Sequence, residues 1–375
     1  ANHYFDGPST ILCGWGMQRR ANGGACIRLL DALAGITGNI GMPGAGVSFY
    51  AGRSAGFDLS FLKGVAVAPR TISEPRLGAE LLAAANPPIR MAWITCGNPV
   101  AMLPESQKVA QALQSREFTV VSDSFLTDTA QCADLVLPTT TMLEEDDLVG
   151  SYGHHWISNV RKVVDPPPGV RSDLEIFTEI AEHVGIPGAF PYDAEGWKER
   201  LIRDLEPEGI TIDRLRQESV RKPFVPKVAF EGRKFPTNDG RIQLIRELPT
   251  EIPPASREFP LYLLSNAISS AQGSQCEGEF QQGPPEVQVH PETAANLAGG
   301  PLQDGDMAVL ESELGSMEVV VRHEDQLHPD AVAIPKGGWH HRGRSANALI
   351  RARVTDLGEG ACYLDETVRL RPAAR

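Results

Sequence analysis

A chain of 375 residues is longer than a single hydrophobic core usually grows, so the sequence predicts more than one domain. Its 42% hydrophobic and 22% charged residues are typical of globular proteins, and no apolar run reaches the roughly 20 residues that a membrane helix needs. The formal net charge of -13 argues against a nucleic-acid-binding or anionic membrane surface. We therefore expect no nucleic-acid partner and no membrane insertion.

The six cysteines show no C-x-x-C spacing, so these residues encode neither an iron–sulfur site nor a zinc ribbon. Unpaired thiols favour a reducing compartment, and we expect a cytoplasmic protein. The chain begins with Ala1 and reaches a strand-like run at residues 9–13 with no leader before it. We expect it to be part of a longer protein.

The first 250 residues alternate short apolar runs with helical patterns, which is typical of strands joined by crossover helices in a parallel sheet. Strands are predicted at residues 10–13, 91–95, 118–122 and 134–137, and helices at 27–36, 105–114, 127–132, 173–184 and 195–205. The clearest local signal is the capping box of Ser172 and Glu175, in which each side chain satisfies a free amide of the first helical turn.

A proline-rich stretch at residues 248–254 separates this pattern from one of short strands and Gly or Asp turns. We place the domain boundary between residues 252 and 253. Strands are predicted beyond it at residues 261–264, 307–311, 317–321, 331–334 and 348–353, with one helix at 291–298. This half of the pattern predicts a small β-barrel or sandwich.

The residues after each predicted strand of the first domain share one chemistry. They supply glycines for close backbone approach, helix N-termini for phosphate, or small polar side chains. In chain order they are Gly14-Trp15-Gly16-Met17-Gln18-Arg19, Cys96-Gly97-Asn98-Pro99, Asp123-Ser124 and Pro138-Thr139-Thr140. Because ligands of open parallel sheets bind beyond the carboxyl ends of the strands, four such ends on one sheet edge predict a nucleotide crevice. Asp123 is suited there to a ribose hydroxyl or to the N1 and N2 donors of guanine.

Each signal has a simpler interpretation when it is taken alone. Gly14 and Gly16 lack the third glycine of the dinucleotide fingerprint and fit an ordinary tight turn. Asn98-Pro99 is a common turn dipeptide, and Asp123 fits the N-cap of a following helix. The nucleotide interpretation therefore depends on the four strand ends together.

Other chemistries find little support. The sequence contains no P-loop and no G-x-S-x-G motif, which argues against phosphoryl transfer and hydrolysis. The adjacent pairs His154-His155 and His340-His341 point in different directions along the chain, so surface or hydrogen-bonded histidines are expected rather than a metal site.

Longer strings resemble the molybdopterin oxidoreductase family, which includes formate dehydrogenases, nitrate reductases and dimethyl sulfoxide reductases. The resemblance is carried by residues 14–18, 33–44, 123–130, 133–138, 144, 150–151, 159–161, 236–242, 289–294, 304–306 and 361–365. It implies an α/β fold: a parallel-sheet dinucleotide-binding domain at residues 1–252 without its N-terminal part, followed by a small six-stranded β-barrel domain at residues 253–375. It also implies molybdenum or tungsten held by two molybdopterin guanine dinucleotides.

The resemblance also carries roles over to matching positions. Gly14, Gly16, Met17 and Gln18 would face a pterin, Cys96, Gly97 and Asn98 a pyrophosphate, and Asp123, Ser124, Thr127 and Asp134 one nucleotide end. Ser265, Asn266, Lys336, Gly337 and Asn347 would line the other face of the site.

Two departures narrow these expectations. The family's metal ligand and iron–sulfur cysteines lie upstream of the matched region, so we expect them in a missing N-terminal portion or a partner chain, with an electron-transfer subunit as a further partner. This chain alone is expected to be inactive. An Arg-Gly-Gln-Asn stretch of formate dehydrogenases is replaced here by residues 51–56, where only Arg53 fits, which leaves the substrate open. A metal-free subunit resembling the large iron–sulfur subunit of NADH dehydrogenase is the alternative.

Overall fold

The computed structural model describes residues 2–48, 56–63, 68, 70–246, 252, 254–276 and 278–373. Two predictions from the sequence lie outside these residues: Arg53, and the domain boundary, which falls at Pro253 next to residues 247–251.

The α-helices of the described part are short, and none of them is long and apolar enough to cross a membrane. They are α1 (Asn2–Phe5), α2 (Gly23–Thr37), α3 (Leu77–Ala83), α4 (Pro99–Met102), α5 (Ser106–Gln114), α6 (Asp173–His183), α7 (Ala194–Ile202), α8 (Ile212–Gln217) and α9 (Pro291–Ala295). Turns of 3₁₀-helix lie at Met17–Arg19, Ser60–Leu62, Glu74–Arg76, Ala130–Cys132, Arg203–Glu208, Glu231–Arg233, Gly278–Gln281, His340–Arg342 and Ala346–Ala348.

The strands divide into three open sheets and one barrel. They are β1 (Thr10–Leu12), β2 (Gly46–Ser48), β3 (Met91–Thr95), β4 (Phe118–Asp123), β5 (Leu135–Pro138), β6 (Asp147–Gly150), β7 (Trp156–Val160), β8 (Val220–Arg221), β9 (Leu261–Asn266), β10 (Glu286–Val289), β11 (Met307–Ser312), β12 (Gly315–His323), β13 (Ala331–Pro335) and β14 (Thr367–Pro372).

Strands β3, β4 and β5 form a parallel sheet in that order, which confirms the predicted α/β unit. Val121 of the central strand lies opposite Ile94 and Val136 and is fully buried. Helix α5 buries Val109 and Leu113 in the cluster that also contains Ile94. The faces of a parallel sheet are normally covered, and α5 covers one face of this sheet. The carboxyl ends of the strands remain available for a ligand site.

The first predicted strand does not belong to this sheet. β1 pairs in parallel with β2, with Ile11 opposite Val47, and α2 joins the two strands as a crossover helix. The prediction of four strand ends along one edge is therefore wrong, and three of the four share an edge. Apolar patterning identifies a strand, but it does not identify the partner, because pairing depends on contacts that are distant in sequence.

An antiparallel sheet of β6, β7 and β8 is absent from the sequence prediction. Its first strand begins at the last residue of the acidic run 144–147. Four successive carboxylates usually indicate a solvated turn. In the structure, Lys198 is 2% exposed, and its ammonium contacts Asp146 at 3.0 Å and Glu195 at 2.8 Å and donates to Asn159 Oδ1 at 3.1 Å. The buried Lys198 of α7 thus neutralises Asp146 of the acidic run and links α7 to β7 through Asn159.

Six strands close a barrel in the order β10, β12, β11, β14, β9 and β13, which confirms the expected six-stranded barrel. Its interior is filled by alternate residues of the strands, as a closed barrel of this size requires. The fully buried side chains include Leu263, Val287, Val289, Leu310, Val319, Val321, Val332 and Val368.

The prediction of a strand at residues 348–353 is wrong. A 3₁₀ turn at Ala346–Ala348 leads into this segment, and the consecutive residues Leu349 and Ile350 are both fully buried. A strand on a barrel alternates between interior and exterior, so two successive interior side chains indicate a loop that plugs the core. The barrel instead uses β10 and β14, which the sequence prediction does not contain.

An acid-sensitive ion-pair cluster joins two barrel strands. Glu311 of β11 contacts Arg369 at 2.6 Å and Arg371 at 2.8 Å on β14. The hydrogen bond from Arg371, reinforced by Arg369, lowers the pKa of Glu311 to about 2. An unfolded glutamate has a pKa of about 4.3, so the stabilisation is complete above that pH and is lost as the pH falls toward 2.

We expect Glu311→Gln to lower the free energy of unfolding at pH 7 by about 1 to 2 kcal/mol, because solvent around the two half-exposed arginines screens part of the interaction. The deficit should shrink in urea titrations run at decreasing pH between 4 and 2. Glu318→Gln, an exposed site on β12, is the control and should show no deficit. An equal deficit at every pH would contradict the electrostatic explanation.

Candidate cofactor-binding site

The end of β3 turns into α4 through Asn98. Its Oδ1 accepts hydrogen bonds from the backbone nitrogen of Thr129 at 3.1 Å and from the Thr129 hydroxyl at 2.7 Å. The side chain is 7% exposed, and its Nδ2 has no hydrogen-bond acceptor in the described part of the chain. A buried donor without an acceptor costs about 1 to 3 kcal/mol. Asn98 is therefore held rigidly, and its buried amide nitrogen is a donor group without an acceptor among the described residues.

The backbone just before Asn98 is open. Cys96 is exposed and has a positive φ of 55°. A Cβ placed on Gly97 would approach only the carbonyl oxygen of Thr95, at 3.8 Å. This strand end leaves room for a group to approach the main chain closely.

The end of β4 presents a carboxylate that local donors hold in place. Asp123 Oδ1 accepts from the backbone nitrogen of Phe125 at 3.1 Å, and Oδ2 accepts from the Thr127 hydroxyl at 3.1 Å. Ser124 donates to the carbonyl oxygens of Thr139 at 2.9 Å and Thr140 at 3.2 Å, which ties this end to the end of β5. Each carboxylate oxygen has a second lone pair, so Asp123 can still accept two hydrogen bonds from a ligand.

The structure adds a second carboxylate that the sequence interpretation missed. Asp173, the first residue of α6, accepts hydrogen bonds from Thr95 at 2.8 Å and Ser122 at 2.9 Å, the side chains near the ends of β3 and β4. Cys96 Sγ lies 3.8 Å from its other oxygen. The capping box at Ser172 marked this helix start but gave no sign that it lies against the sheet edge. Asp123 and Asp173 together make this edge a hydrogen-bond acceptor for hydroxyl and amino groups.

The Gly14–Gln18 block follows β1, which belongs to a different sheet from β3–β5, and the residues directly after the block contact the terminal domain. Arg20 pairs with Asp365 at 3.0 Å, and the backbone nitrogen of Leu364 donates to the carbonyl oxygen of Arg19 at 3.2 Å. A Cβ on Gly16 would meet only Leu364, at 3.9 Å, and a Cβ on Gly14 would meet nothing within 4 Å. The block therefore faces the barrel domain with an open glycine backbone.

Four predicted residues of the barrel domain lie together at the ends of β9 and β13. Asn266 ends β9, and its carbonyl oxygen accepts from the backbone nitrogen of Lys336 at 2.8 Å, while Ser265 is the residue before it. Gly337 has a φ of +92°, and a Cβ there would lie 2.3 Å from the carbonyl oxygen of Gly273. Only glycine fits at this position, so the loop at residue 273 can pack closely against the end of β13.

Two cations, one in the first block and one in this cluster, influence each other electrostatically. Burial lowers the pKa of Lys336, and the positive charge of Arg19 lowers it further. Arg19 lies over the ring of Tyr363, 5.0 Å from its centroid. Arg19 belongs to the first domain and Lys336 to the barrel domain. Among the described residues, no carboxylate lies within ion-pair distance of either cation. Such a pair favours an anion between or beside them.

Two predicted residues lie elsewhere. The Asp134 carboxylate accepts from the backbone nitrogen of Thr119 at 2.7 Å, at the amino end of the sheet, opposite the edge that carries Asp123. Asn347 is 6% exposed and donates through Nδ2 to the carbonyl oxygen of Ala101 at 2.8 Å. Their arrangement indicates a role in strand alignment for Asp134 and in joining the domains for Asn347.

A buried aspartate forms the other main contact between the domains. Asp128 is 1% exposed and accepts hydrogen bonds from the backbone nitrogens of His340 and His341 and from His341 Nδ1, the last at 2.6 Å. His341 is thus a hydrogen-bonded histidine, as expected. Within the described ranges no three His, Cys, Asp or Glu side chains gather as a metal site.

The arrangement fits a dinucleotide-bearing cofactor in three respects. Its acceptors at Asp123 and Asp173 suit a base or a ribose. Among the described residues, the buried amide nitrogen of Asn98 has no acceptor, and no carboxylate forms an ion pair with Arg19 or Lys336. The chemistry is complementary to a ligand that carries both hydroxyl or amino donors and phosphate.

Comparisons with known proteins agree with this geometry. Residues 2–183 match the family model of molybdopterin oxidoreductase, and residues 266–367 match that of the molydopterin dinucleotide binding domain. The chain is similar to the probable oxidoreductase YyaE of Bacillus subtilis, with 33% identity over all of this chain and 59% of that protein. It is also similar to the F420-dependent formate dehydrogenase subunit alpha of Methanocaldococcus jannaschii, with 26% identity over 93% of this chain and 56% of that one.

Among solved structures, acetylene hydratase from Pelobacter acetylenicus resembles the chain in fold, with a TM-score of 0.66 and 19% identity over 81% of this chain and 47% of that one. The chain spans a little over half the length of the curated relatives that it matches. Two family models in the same order as the two observed domains, together with the whole-chain relatives, show that this chain belongs to the molybdopterin oxidoreductase family.

Proposed function

We propose that the chain holds the dinucleotide parts of a bis(molybdopterin guanine dinucleotide) cofactor in an oxidoreductase of the formate dehydrogenase or nitrate reductase type. The observation that carries this proposal is the pair of cations Arg19 and Lys336: the charge of Arg19 helps to lower the pKa of Lys336, and no carboxylate of the described residues forms an ion pair with either side chain. Burying one such cation lowers stability unless an anion accompanies it. A cofactor pyrophosphate is an anion of the required kind.

The other candidate residues would bind different parts of the cofactor. Asp123 and Asp173 would accept hydrogen bonds from guanine or ribose, and the free Nδ2 of Asn98 would donate to a ligand oxygen. The open backbone at Gly14, Gly16 and Gly97 would let the cofactor approach the main chain. The bound cofactor supplies two-electron redox chemistry at molybdenum or tungsten, and the chain's own part is to bind and orient it.

The proposal assigns the metal ligand and any iron–sulfur cluster to a portion of the enzyme outside this chain. That portion, in the same polypeptide or in a partner chain, is the first expected partner, and an electron-transfer subunit is the second. The cysteines of the described part are all unpaired, which supports a cytoplasmic location.

Asp123 gives the direct test of the nucleotide assignment. Asp123→Ala removes two ligand-accepting oxygens, and we expect the purified natural assembly to retain about a tenth or less of the guanine nucleotide that acid treatment releases from the wild type. Because the substitution also frees the Phe125 amide and Thr127, Asp123→Asn is the conservative variant that keeps the local turn. It should lose nucleotide as well while unfolding at the wild-type temperature.

The exposed Asp325→Ala is the control for loss of a carboxylate and should retain nucleotide fully. Unchanged nucleotide content in both Asp123 variants would contradict the assigned role. An absence of nucleotide from the wild-type assembly would contradict the function itself and favour the metal-free alternative.

A further inference from the structure

Tyr363 contacts three parts of the molecule. Its ring packs against the core of the barrel domain, to which it belongs. Its hydroxyl donates to the carbonyl oxygen of Met102 at 2.8 Å, at the end of α4. The guanidinium of Arg19 lies over the ring, 5.0 Å from its centroid. This side chain therefore connects the barrel both to the helix that follows β3 and to the segment that follows β1.

The backbone beside Tyr363 is tied to the backbone beside Arg19. The Asp365 carboxylate is buried and accepts hydrogen bonds from the Arg20 guanidinium at 3.0 Å and from the backbone nitrogen of Ala21 at 2.5 Å. Because these bonds join residues that closely follow Tyr363 and Arg19, they restrict where the ring and the guanidinium can meet.

A second carboxylate of the barrel domain extends this attachment into α2. Asp356 accepts from the backbone nitrogens of Gly24 at 2.8 Å and Ala25 at 2.9 Å, in the first turn of the helix. First-turn amides have no partner within their own helix, and the helix dipole favours a negative charge there. A Cβ on Gly24 would overlap the side chain of Leu357, so this close approach requires glycine. The two segments are thus joined along their length.

A neutral aromatic ring can hold a cation without neutralising it. Burial raises the pKa of Tyr363 to about 12, although the charge of Arg19 opposes this shift, and Glu74 adds to it. The phenol is therefore neutral at physiological pH and attracts Arg19 through the electron-rich face of its ring. A carboxylate at this position would cancel the charge of the guanidinium, whereas the ring leaves that charge available to an anion. The same charge helps to lower the pKa of Lys336.

We propose that Tyr363 is a positioning residue of the anion site: its ring holds the Arg19 guanidinium in place for the cofactor pyrophosphate and leaves the positive charge intact. Tyr363 acts through Arg19 and is assigned no contact with the cofactor. The inference rests on the proposed function, because the anion is the pyrophosphate assigned there. It gives a role to a residue that follows neither from the strand ends nor from the resemblance.

The first measurement follows Lys336 in the natural assembly, purified without cofactor from cells that cannot synthesise molybdopterin. Its amino group is titrated by NMR after reductive methylation, which preserves the charge, and Lys336→Gln identifies the signal. Tyr363→Leu removes the aromatic face and releases Arg19, so the pKa of Lys336 should rise. Arg19→Gln should raise it in the same way. Tyr363→Phe keeps the ring and loses only the bond to Met102, so it should leave the titration unchanged.

The second measurement is the calorimetric binding of inorganic pyrophosphate to the same cofactor-free proteins. We expect Tyr363→Leu to weaken binding about 3- to 30-fold, the range of a partly desolvated cation–π contact, and Tyr363→Phe to weaken it less than about twofold. In an Arg19→Gln background, Tyr363→Leu should have no further effect, because the two residues act as one unit. Tyr192→Leu removes a tyrosine that lies 5.3 Å from Trp197, and this control should keep the wild-type titration and affinity.

Tyr363→Met is the second ring-free variant if Tyr363→Leu does not fold, because its flexible side chain fills the space without an aromatic face. An unchanged Lys336 titration in a folded ring-free variant, or an equal loss of affinity in the Arg19→Gln background, would overturn the proposal. A wild-type assembly that binds no pyrophosphate, while Tyr363→Leu still raises the pKa of Lys336, would support the positioning and count against the proposed function. An assembly that retains guanine nucleotide, with ring-free variants that change neither measurement, would do the reverse.

Discussion

Replacing Lys336 with Gln is expected to weaken cofactor retention about 10- to 100-fold, the effect of losing a charge-assisted hydrogen bond to phosphate. The cofactor-free chain should at the same time be at least as stable as the wild type. The pKa of Lys336 is lowered by burial and further by the charge of Arg19, so keeping its ammonium group charged at neutral pH costs folding free energy. These opposite effects distinguish an anion site from a purely structural lysine, whose loss would weaken both forms.

The same lysine predicts the pH dependence of binding. A bound anion favours the charged form, so cofactor affinity should fall as the pH rises through the lowered pKa of Lys336, which lies below the usual 10.5. The fall should begin at a lower pH than an ordinary lysine would give, and Lys336→Gln should abolish it. The exposed Lys227→Gln is the control and should keep both the affinity and its pH profile. A wild-type profile in Lys336→Gln would contradict the assignment.

Replacing Asp128 with Ala should give the largest loss of stability, about 3 kcal/mol or more. The substitution leaves two backbone amides and His341 Nδ1 without an acceptor in a site where Asp128 is 1% exposed. Removing one partner of a buried charged contact exposes the full desolvation cost of the others. Calorimetry should show the transitions of the barrel and of the α/β domain separating, because this contact joins them.

Asp128→Asn keeps one carbonyl oxygen and should recover part of the loss. Asp165→Asn removes a carboxylate that is 87% exposed and pairs with Lys162, and it should leave the unfolding temperature at the wild-type value because solvent screens such an exposed pair. A single transition at the wild-type temperature in Asp128→Ala would show that the two domains do not depend on this contact.

The sequence predicts the regular elements of the first domain well because their signals are local. The helix that starts at the Ser172 capping box and the strand at residues 91–95 appear as expected. Periodicity, capping and turn residues are properties of neighbouring positions, so these signals can be recognised in the sequence without knowledge of the fold.

Pairing and burial are not local, and the wrong predictions fall there. Leu349 and Ile350 read as a strand but plug the barrel, and the run that ends at Asp147 reads as a turn but opens β6. In both cases a part of the chain that is distant in sequence determines the local structure. The barrel interior buries Leu349 and Ile350, and Lys198 pairs with Asp146 beside the start of β6.

The candidate site shows the same division. Asp123 and Asn98 follow directly from strand ends, whereas Asp173 belongs to a helix more than forty residues later in the chain and becomes recognisable only when α6 is seen against the sheet edge. The family resemblance assigns Asp134 to one nucleotide end, but its carboxylate accepts from the backbone nitrogen of Thr119 and therefore lies at the opposite end of the sheet. The family is recognised from the resemblance, whereas the roles proposed for Asp123 and Asp173 rest on their hydrogen bonds.

The central claim is that this chain holds guanine dinucleotide parts of a molybdenum or tungsten cofactor, and one measurement tests it most directly. The natural assembly is purified anaerobically, its metals are quantified by elemental analysis, and its acid-released nucleotides are separated on the same sample. We expect the assembly to contain about one molybdenum or tungsten ion and about two guanine nucleotides per chain. An assembly that contains neither metal and no guanine nucleotide would contradict it.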